Sequence, residues 1–156
     1  MSTNTNHWDT TSSEVGATER ILQSVVAALN EGKSAEVADQ FDDHFTFTDH
    51  ALKLEFSDKG RLIEFFQKSR ELFPDIVVEA DAISECRDQA VVQWKLKATQ
   101  DVSYGGYFHR RVPISFRGVS IVHMKNGRVT RWSDYYDQLA SRRSGLAAFF
   151  TEWIEY

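Results

Sequence analysis

The chain has 156 residues, 42% of them hydrophobic, 26% charged and 13% aromatic, which suits one domain with a sizeable core. Eighteen Lys and Arg stand against 23 Asp and Glu, a net charge of −5 with no block of basic residues, and this argues against a nucleic-acid surface. The single cysteine, Cys86, rules out an internal disulfide and fits a reducing cytoplasm; no apolar run reaches the ~20 residues that span a bilayer, so no membrane partner is expected.

Residues 1–12 are polar, carry no apolar stretch of the secretory type, and read as a flexible tail ahead of a single domain over 13–156. Ile21, Leu22, Val25, Val26, Ala28 and Leu29 then recur at helical spacing, with Ser12 or Ser13 as a possible cap and Gly32 as the stop. A short second helix follows Ser34, with Val37, Ala38 and Phe41 on one side. The stretch FTFTDHA, 45–51, alternates and reads as a strand. Ser57-Asp58 opens a third helix through RLIEFFQKSRELF, which must end before Pro74.

Beyond Pro74 the pattern becomes strand-like: DIVVEADAISE, QAVVQWKLKATQDVSY, YFHRRVPISFRGVSIVHM and RVTRWSDYYD, joined at Arg87-Asp88, Gly105-Gly106 and Lys125-Asn126-Gly127. Asn126-Gly127 is the strongest hairpin signal, because a primed two-residue turn needs positive φ. Pro113 and Gly118 within one long strand predict an edge position or a bulge that bends the sheet. GLAAFFTEWIEY reads as a closing helix with Leu146, Phe149, Phe150 and Trp153 on one face. The layout is α+β: a curved antiparallel sheet wrapped around N-terminal helices, a cone, plus a C-terminal helix. The surplus of 11 Phe, 5 Tyr and 4 Trp suits an apolar cavity or an oligomer interface, and the centre of such a cone suits a small hydrophobic molecule.

Two carboxylates stand out. Phe45, Phe47 and Asp49 share a strand face, as do Trp132, Asp134 and Tyr136. An unpaired charge buried among aromatics costs several kcal/mol, on the order of the burial penalties of isolated polar groups. Asp134 must then be protonated, functional, or paired with a cation such as Lys95 or Lys97. Asp49 either bonds a turn at the strand's end or sits in the hollow, where desolvation raises its pKa. Trp94, in phase with Val92 and Leu96, is core or cavity wall. His44 and His50 are too few for a metal site, so no metal is expected; His123 reads as packing and His109 as a pocket candidate.

VVAALNEGK (25–33), FDDHFTFTDH (41–50), LFPDIVVEA (72–80) and KNGRVTRWSDYYD (125–137) resemble the nuclear-transport-factor-2-like superfamily, and within it the SnoaL-like group. The resemblance spans about residues 15–138 and implies a cystatin-like cone and a homodimer. By likeness to the ketosteroid isomerases, their general base falls on Asp49, while their oxyanion tyrosine matches Val25 and their protonated aspartate falls near Gly118–Val119, where no acid is present. By likeness to the limonene-epoxide hydrolases, a catalytic aspartate falls on Asp134, but their Arg-x-Asp pair has no counterpart in QWKLKA (93–98), and their water-holding pair matches Asp49 and Phe47. The resemblance therefore implies a SnoaL-like enzyme with Asp134 and Asp49 as catalytic residues and Phe47, Trp94, Trp132, Tyr136 and His109 as substrate contacts. Isomerisation, cyclisation or hydration/dehydration of a hydrophobic oxygenated molecule would fit, with no cofactor. The alternative is a non-catalytic domain of the same fold that binds a small molecule or forms a dimer.

Overall fold

The computed structural model describes residues 12–104 and 108–137. In chain order they form α1 (Ser12–Asn30), α2 (Ser34–Asp39), β1 (Phe41–Asp49), β2 (Leu54–Phe56), α3 (Lys59–Leu72), β3 (Val77–Cys86), β4 (Gln89–Tyr104), β5 (Phe108–Lys125) and β6 (Arg128–Tyr136). Of the tail expected over 1–12 all but Ser12, which opens α1, falls outside the described residues, as do the expected joint at Gly105-Gly106 and the expected closing helix.

Local chemistry sets the ends of these elements. α1 stops at Gly32, whose φ of 72° is open to glycine at no steric cost. Its amide donates to Leu29 O at 3.1 Å, and Lys33 N donates to Ala28 O at 2.9 Å. The Asp58 side chain accepts from Arg61 N at 2.9 Å and caps the start of α3, a contact worth about 1 kcal/mol. Asn126 (φ 52°) and Gly127 (φ 74°) make the anticipated two-residue turn between β5 and β6.

The six strands form a sheet in the order β2-β1-β6-β5-β4-β3. Every pairing is antiparallel except β1 with β6, which is parallel and joins the first long strand to the last. The strand read at 45–51 begins earlier, at Phe41, and ends at Asp49; β2, three residues long, is too short to show a period in the sequence. Register breaks between Phe41 and Thr46, Ala80 and Ala82, and His123 and Met124 give the sheet its bends.

Gly118 is not one of those bends. It pairs continuously with Trp94 on one side and Tyr136 on the other, and a Cβ there would lie 2.3 Å from Trp94 Cζ2. Glycine is needed because the indole lies across the backbone. Pro113 pairs with Thr99 of β4, and the pairing of β5 with β6 among the described residues starts only at Gly118, so Pro113 lies where β5 is locally an edge.

The helices lie against the concave face. Leu22 and Val25 of α1, Val37 of α2 and Leu62 and Phe65 of α3 pack with Phe41, Phe47, Val92, Ile114, Val122 and Val129 of the sheet. Fully burying each such side chain contributes roughly 1.5–3 kcal/mol, so the cone's lining supplies the main driving force. Asn30 ties the end of α1 to the edge strand β3: its amide donates to Val78 O at 2.8 Å and accepts from Val78 N at 2.7 Å. Among the described residues no helix is long and apolar enough to cross a membrane.

Candidate active site

The cone encloses a cavity of about 170 Å3, walled mainly by Val25, Phe47, Phe65, Trp94, Phe116 and Trp132. Strand register places its polar groups in one row. Asp49 of β1 pairs in parallel with Asp134 of β6, Asp134 pairs with Ser120 of β5, and Ser120 pairs with Val92 of β4. Neighbouring strands lie ~4.8 Å apart, so the row sets two carboxylates side by side on the cavity face. His50 N donates to Asp134 O at 3.0 Å and fixes this register just past the end of β1.

Each acid has its own donors. Asp49 is 4% exposed; Oδ1 accepts from Leu52 N at 2.8 Å and Oδ2 from the Tyr136 hydroxyl at 3.0 Å. Asp134 Oδ1 accepts from the Ser120 hydroxyl at 2.5 Å and from Trp132 Nε1 at 2.6 Å. Trp94 Nε1 donates to Ser120 Oγ at 2.8 Å, so the Ser120 proton is directed onto Asp134. Both donors to Asp134 land on the same oxygen, which leaves Oδ2 for a proton or for a molecule in the cavity.

Burial pushes the Asp134 carboxyl up to about 7, with the nearby Asp49 charge as the second cause and the Ser120 and Trp132 bonds opposing. Burial also raises Asp49, against the bonds from Leu52 and Tyr136, which favour its ionised form. Tyr136 is held far above its ordinary value by burial and by the charge of Asp49, so it remains a donor. Two adjacent carboxyls titrate as a pair. Four influences favour the Asp49 anion, the bonds from Leu52, Tyr136 and Ala51 and the charge of His50, against two for Asp134, so Asp49 is the member of the pair favoured to ionise first.

The alternative pairing with lysine does not occur. Among the described residues no cation contacts Asp134, and Lys97 instead pairs with Glu79 at 2.6 Å. Asp49, Asp134, Phe47, Trp94, Trp132 and Tyr136 all line the one cavity. Phe47 sits in a ring cluster, 6.1 Å from Phe56, 5.9 Å from Phe65 and 5.8 Å from Phe66 between centroids. His109 stands apart as a correction: it is exposed near the start of β5, on the part of the hairpin that runs past β6, and it does not reach the cavity wall.

Three groups at the cavity escaped the sequence reading. Ser120 is a polar residue in phase with Phe116 and Val122 on the core face of β5, and the parity argument that singled out Asp134 applies to it equally. Leu52 acts through its backbone amide, for which no side chain gives a signal. Arg70, near the end of α3, lies on the polar side of an amphipathic pattern yet lines the cavity.

A profile of the SnoaL-like domain family matches residues 22–132. No curated protein sequence matches the chain. Among solved structures, a SnoaL-like candidate polyketide cyclase from Shewanella putrefaciens superposes with a TM-score of 0.71 at 13% identity, over 86% of this chain and 88% of its own. IdmH from Streptomyces antibioticus, a candidate polyketide cyclase, gives 0.71 at 12% identity over 81% and 96%. A protein of ketosteroid isomerase-like fold from Catenulispora acidiphila, solved with trimethylamine, gives 0.69 at 15% identity over 83% and 95%. At these identities the likeness speaks for the fold alone.

Proposed function

The chain belongs to the SnoaL-like domain family, and from that premise we propose that it is a small-molecule enzyme in which Asp134 and Asp49 act as an acid–base pair on a hydrophobic oxygenated substrate. The observation that carries this reading is the register of two carboxylates on adjacent strands, facing one apolar cavity with no Lys or Arg bonded to either among the described residues.

A carbonyl compound in the cavity would meet Asp134 Oδ2 at its oxygen and Asp49 at a neighbouring C–H. Asp49 takes the proton from carbon while protonated Asp134 donates to the oxygen, and an enol forms without a free oxyanion. The proton then returns at another carbon (isomerisation), the enol attacks a second carbonyl (cyclisation), or a β-hydroxyl leaves as water (dehydration). Positioned acid–base groups of this kind contribute ~10²–10⁴ each in rate. Donors aimed at the developing negative charge are the largest single contribution in many enzymes. Asp134 supplies that donor in place of the tyrosine and aspartate that the isomerases use.

The test does not require the natural substrate. Cyclic ketones such as 2-tetralone are incubated in D2O, and exchange of the protons next to the carbonyl is followed by NMR. The wild-type protein is expected to accelerate exchange over buffer, and Asp49→Asn and Asp134→Asn each to remove roughly 10²-fold or more of that acceleration. A wild-type rate equal to that of buffer across a panel of cyclic ketones and enones would discard proton abstraction and leave a non-catalytic binding role.

A further inference from the structure

Among the described residues the cavity's lining includes one Lys or Arg, Arg70, in addition to the two aspartates. Its position on α3 sets it on the helical wall, whereas Asp49 and Asp134 lie on the sheet. The guanidinium has no carboxylate partner among the described residues. Nη1 donates to two backbone carbonyls, Asn30 O at 2.7 Å and Ile76 O at 3.4 Å, which tie α3 to the end of α1 and the start of β3.

Those two bonds use one nitrogen. Of the five N–H groups on a guanidinium, the three on Nε and Nη2 remain, and that edge is the fork that grips a carboxylate through two parallel bonds. Gly32 also lines the cavity, and a Cβ there would lie 3.5 Å from Arg70 Nε and 3.8 Å from Cζ. Glycine at this position therefore puts no side chain against the Nε side of the fork. Two neighbouring side chains in the lining are already engaged: both atoms of the Asn30 amide bond Val78, and Ser69 Oγ donates to Phe65 O at 2.7 Å.

We propose that Arg70 is a specificity-determining residue that holds a carboxylate borne by the substrate, so that the cavity takes a hydrophobic acid with its neutral, oxygenated part turned toward Asp134 and Asp49. This rests on the acid–base reading of the same cavity and adds the substrate's class and orientation. The two poles enforce the orientation: an anion is attracted by Arg70 and repelled by Asp49, while a neutral carbonyl tolerates the acid pair.

A matched pair of probes tests it: 1-naphthaleneacetate and 1-naphthaleneacetamide, titrated calorimetrically at pH 8 into the wild-type protein, Arg70→Met and Arg70→Lys. The acid is expected to bind the wild type roughly tenfold or more tighter than the amide, from charge-assisted bonds. Arg70→Met should bring the two probes within about twofold, and Arg70→Lys should keep part of the preference. Should Arg70→Met fail to fold, the wild-type and Arg70→Lys comparisons decide. Equal binding of acid and amide by the wild type, or a preference that survives Arg70→Met, overturns the role of Arg70 and leaves the acid–base reading standing. If neither probe binds at millimolar concentration, the ligand cavity itself is refuted, and this inference with it.

Discussion

Replacing Asp134 by asparagine should make the protein more stable, and increasingly so as the pH rises. An ordinary aspartate titrates at 3.8, whereas this one is held at about 7 by burial and by Asp49. The folded value exceeds the unfolded one, so the folded state keeps a proton across that window that the unfolded chain gives up. Stability is then greatest below 3.8 and falls as the pH climbs toward 7. At 1.36 kcal/mol for each tenfold difference in proton affinity, the full penalty above pH 7 is about 4 kcal/mol. Water entering the cavity relieves part of it, so roughly 2–4 kcal/mol is expected. The amide is isosteric, and its Oδ1 can accept from Ser120 and Trp132 as the carboxylate does. Urea unfolding followed by tryptophan fluorescence at pH 4.5 and pH 8 gives the two free energies. The gain from Asp134→Asn should be about 1 kcal/mol or less at pH 4.5 and roughly 2–4 kcal/mol at pH 8. A variant less stable than the wild type at pH 8 would refute the reasoning, because Asp134 would then be a charge that the fold needs.

Trp132→Phe removes the 2.6 Å donor to Asp134 Oδ1, a bond that favours the anion, so the Asp134 titration should move above about 7. Carboxyl 13C NMR should show a rise of roughly one pH unit, given that a bond to a charged group is worth ~1.5–3 kcal/mol. Tyr136→Phe leaves Asp49 Oδ2 without its 3.0 Å donor and should raise the Asp49 pKa further; the acidic limb of the exchange rate then moves to higher pH, and an unmoved limb would deny Asp49 the role of base. Gly118→Ala places a methyl 2.3 Å from Trp94 Cζ2, so the indole must leave the wall. Overpacking of this kind costs ~1–3 kcal/mol and should lower the melting temperature by several degrees.

The long elements were legible because each carries one clean period. QAVVQWKLKATQDVSY became β4 residue for residue, and the Asn-Gly turn lies where its φ requirement places it. β2 was not legible, since three residues show no period. The parallel join of β1 to β6 was also hidden, because alternation names a strand's faces but not its neighbours. Parity found Asp49, Trp132, Asp134 and Tyr136, for the cavity lies on the core face of both strands. His109, a pocket candidate only as a histidine on a strand, lies away from the cavity because strand membership carries no information about how far a strand outruns the partner beside it. Arg70 was missed for the opposite reason: a charged residue on an amphipathic helix reads as solvated, and only the meeting of α1, α3 and β3 turns it inward.

The parallel seam between β1 and β6 has a consequence for how the molecule is made. Asp49 and Tyr136 are 87 positions apart, and β6 is an interior strand of the sheet although it is the last described element in sequence. A ribosome must deliver nearly all of this region before the two aspartates can meet, and closing so long a loop makes that contact among the slowest to form. Until then β1 and β5 would present open hydrogen-bonding edges to any other nascent chain nearby. The cavity and completed synthesis are thereby coupled: a polypeptide cut short before residue 128 would lack the Asp134 side of the polar row as well as an interior strand.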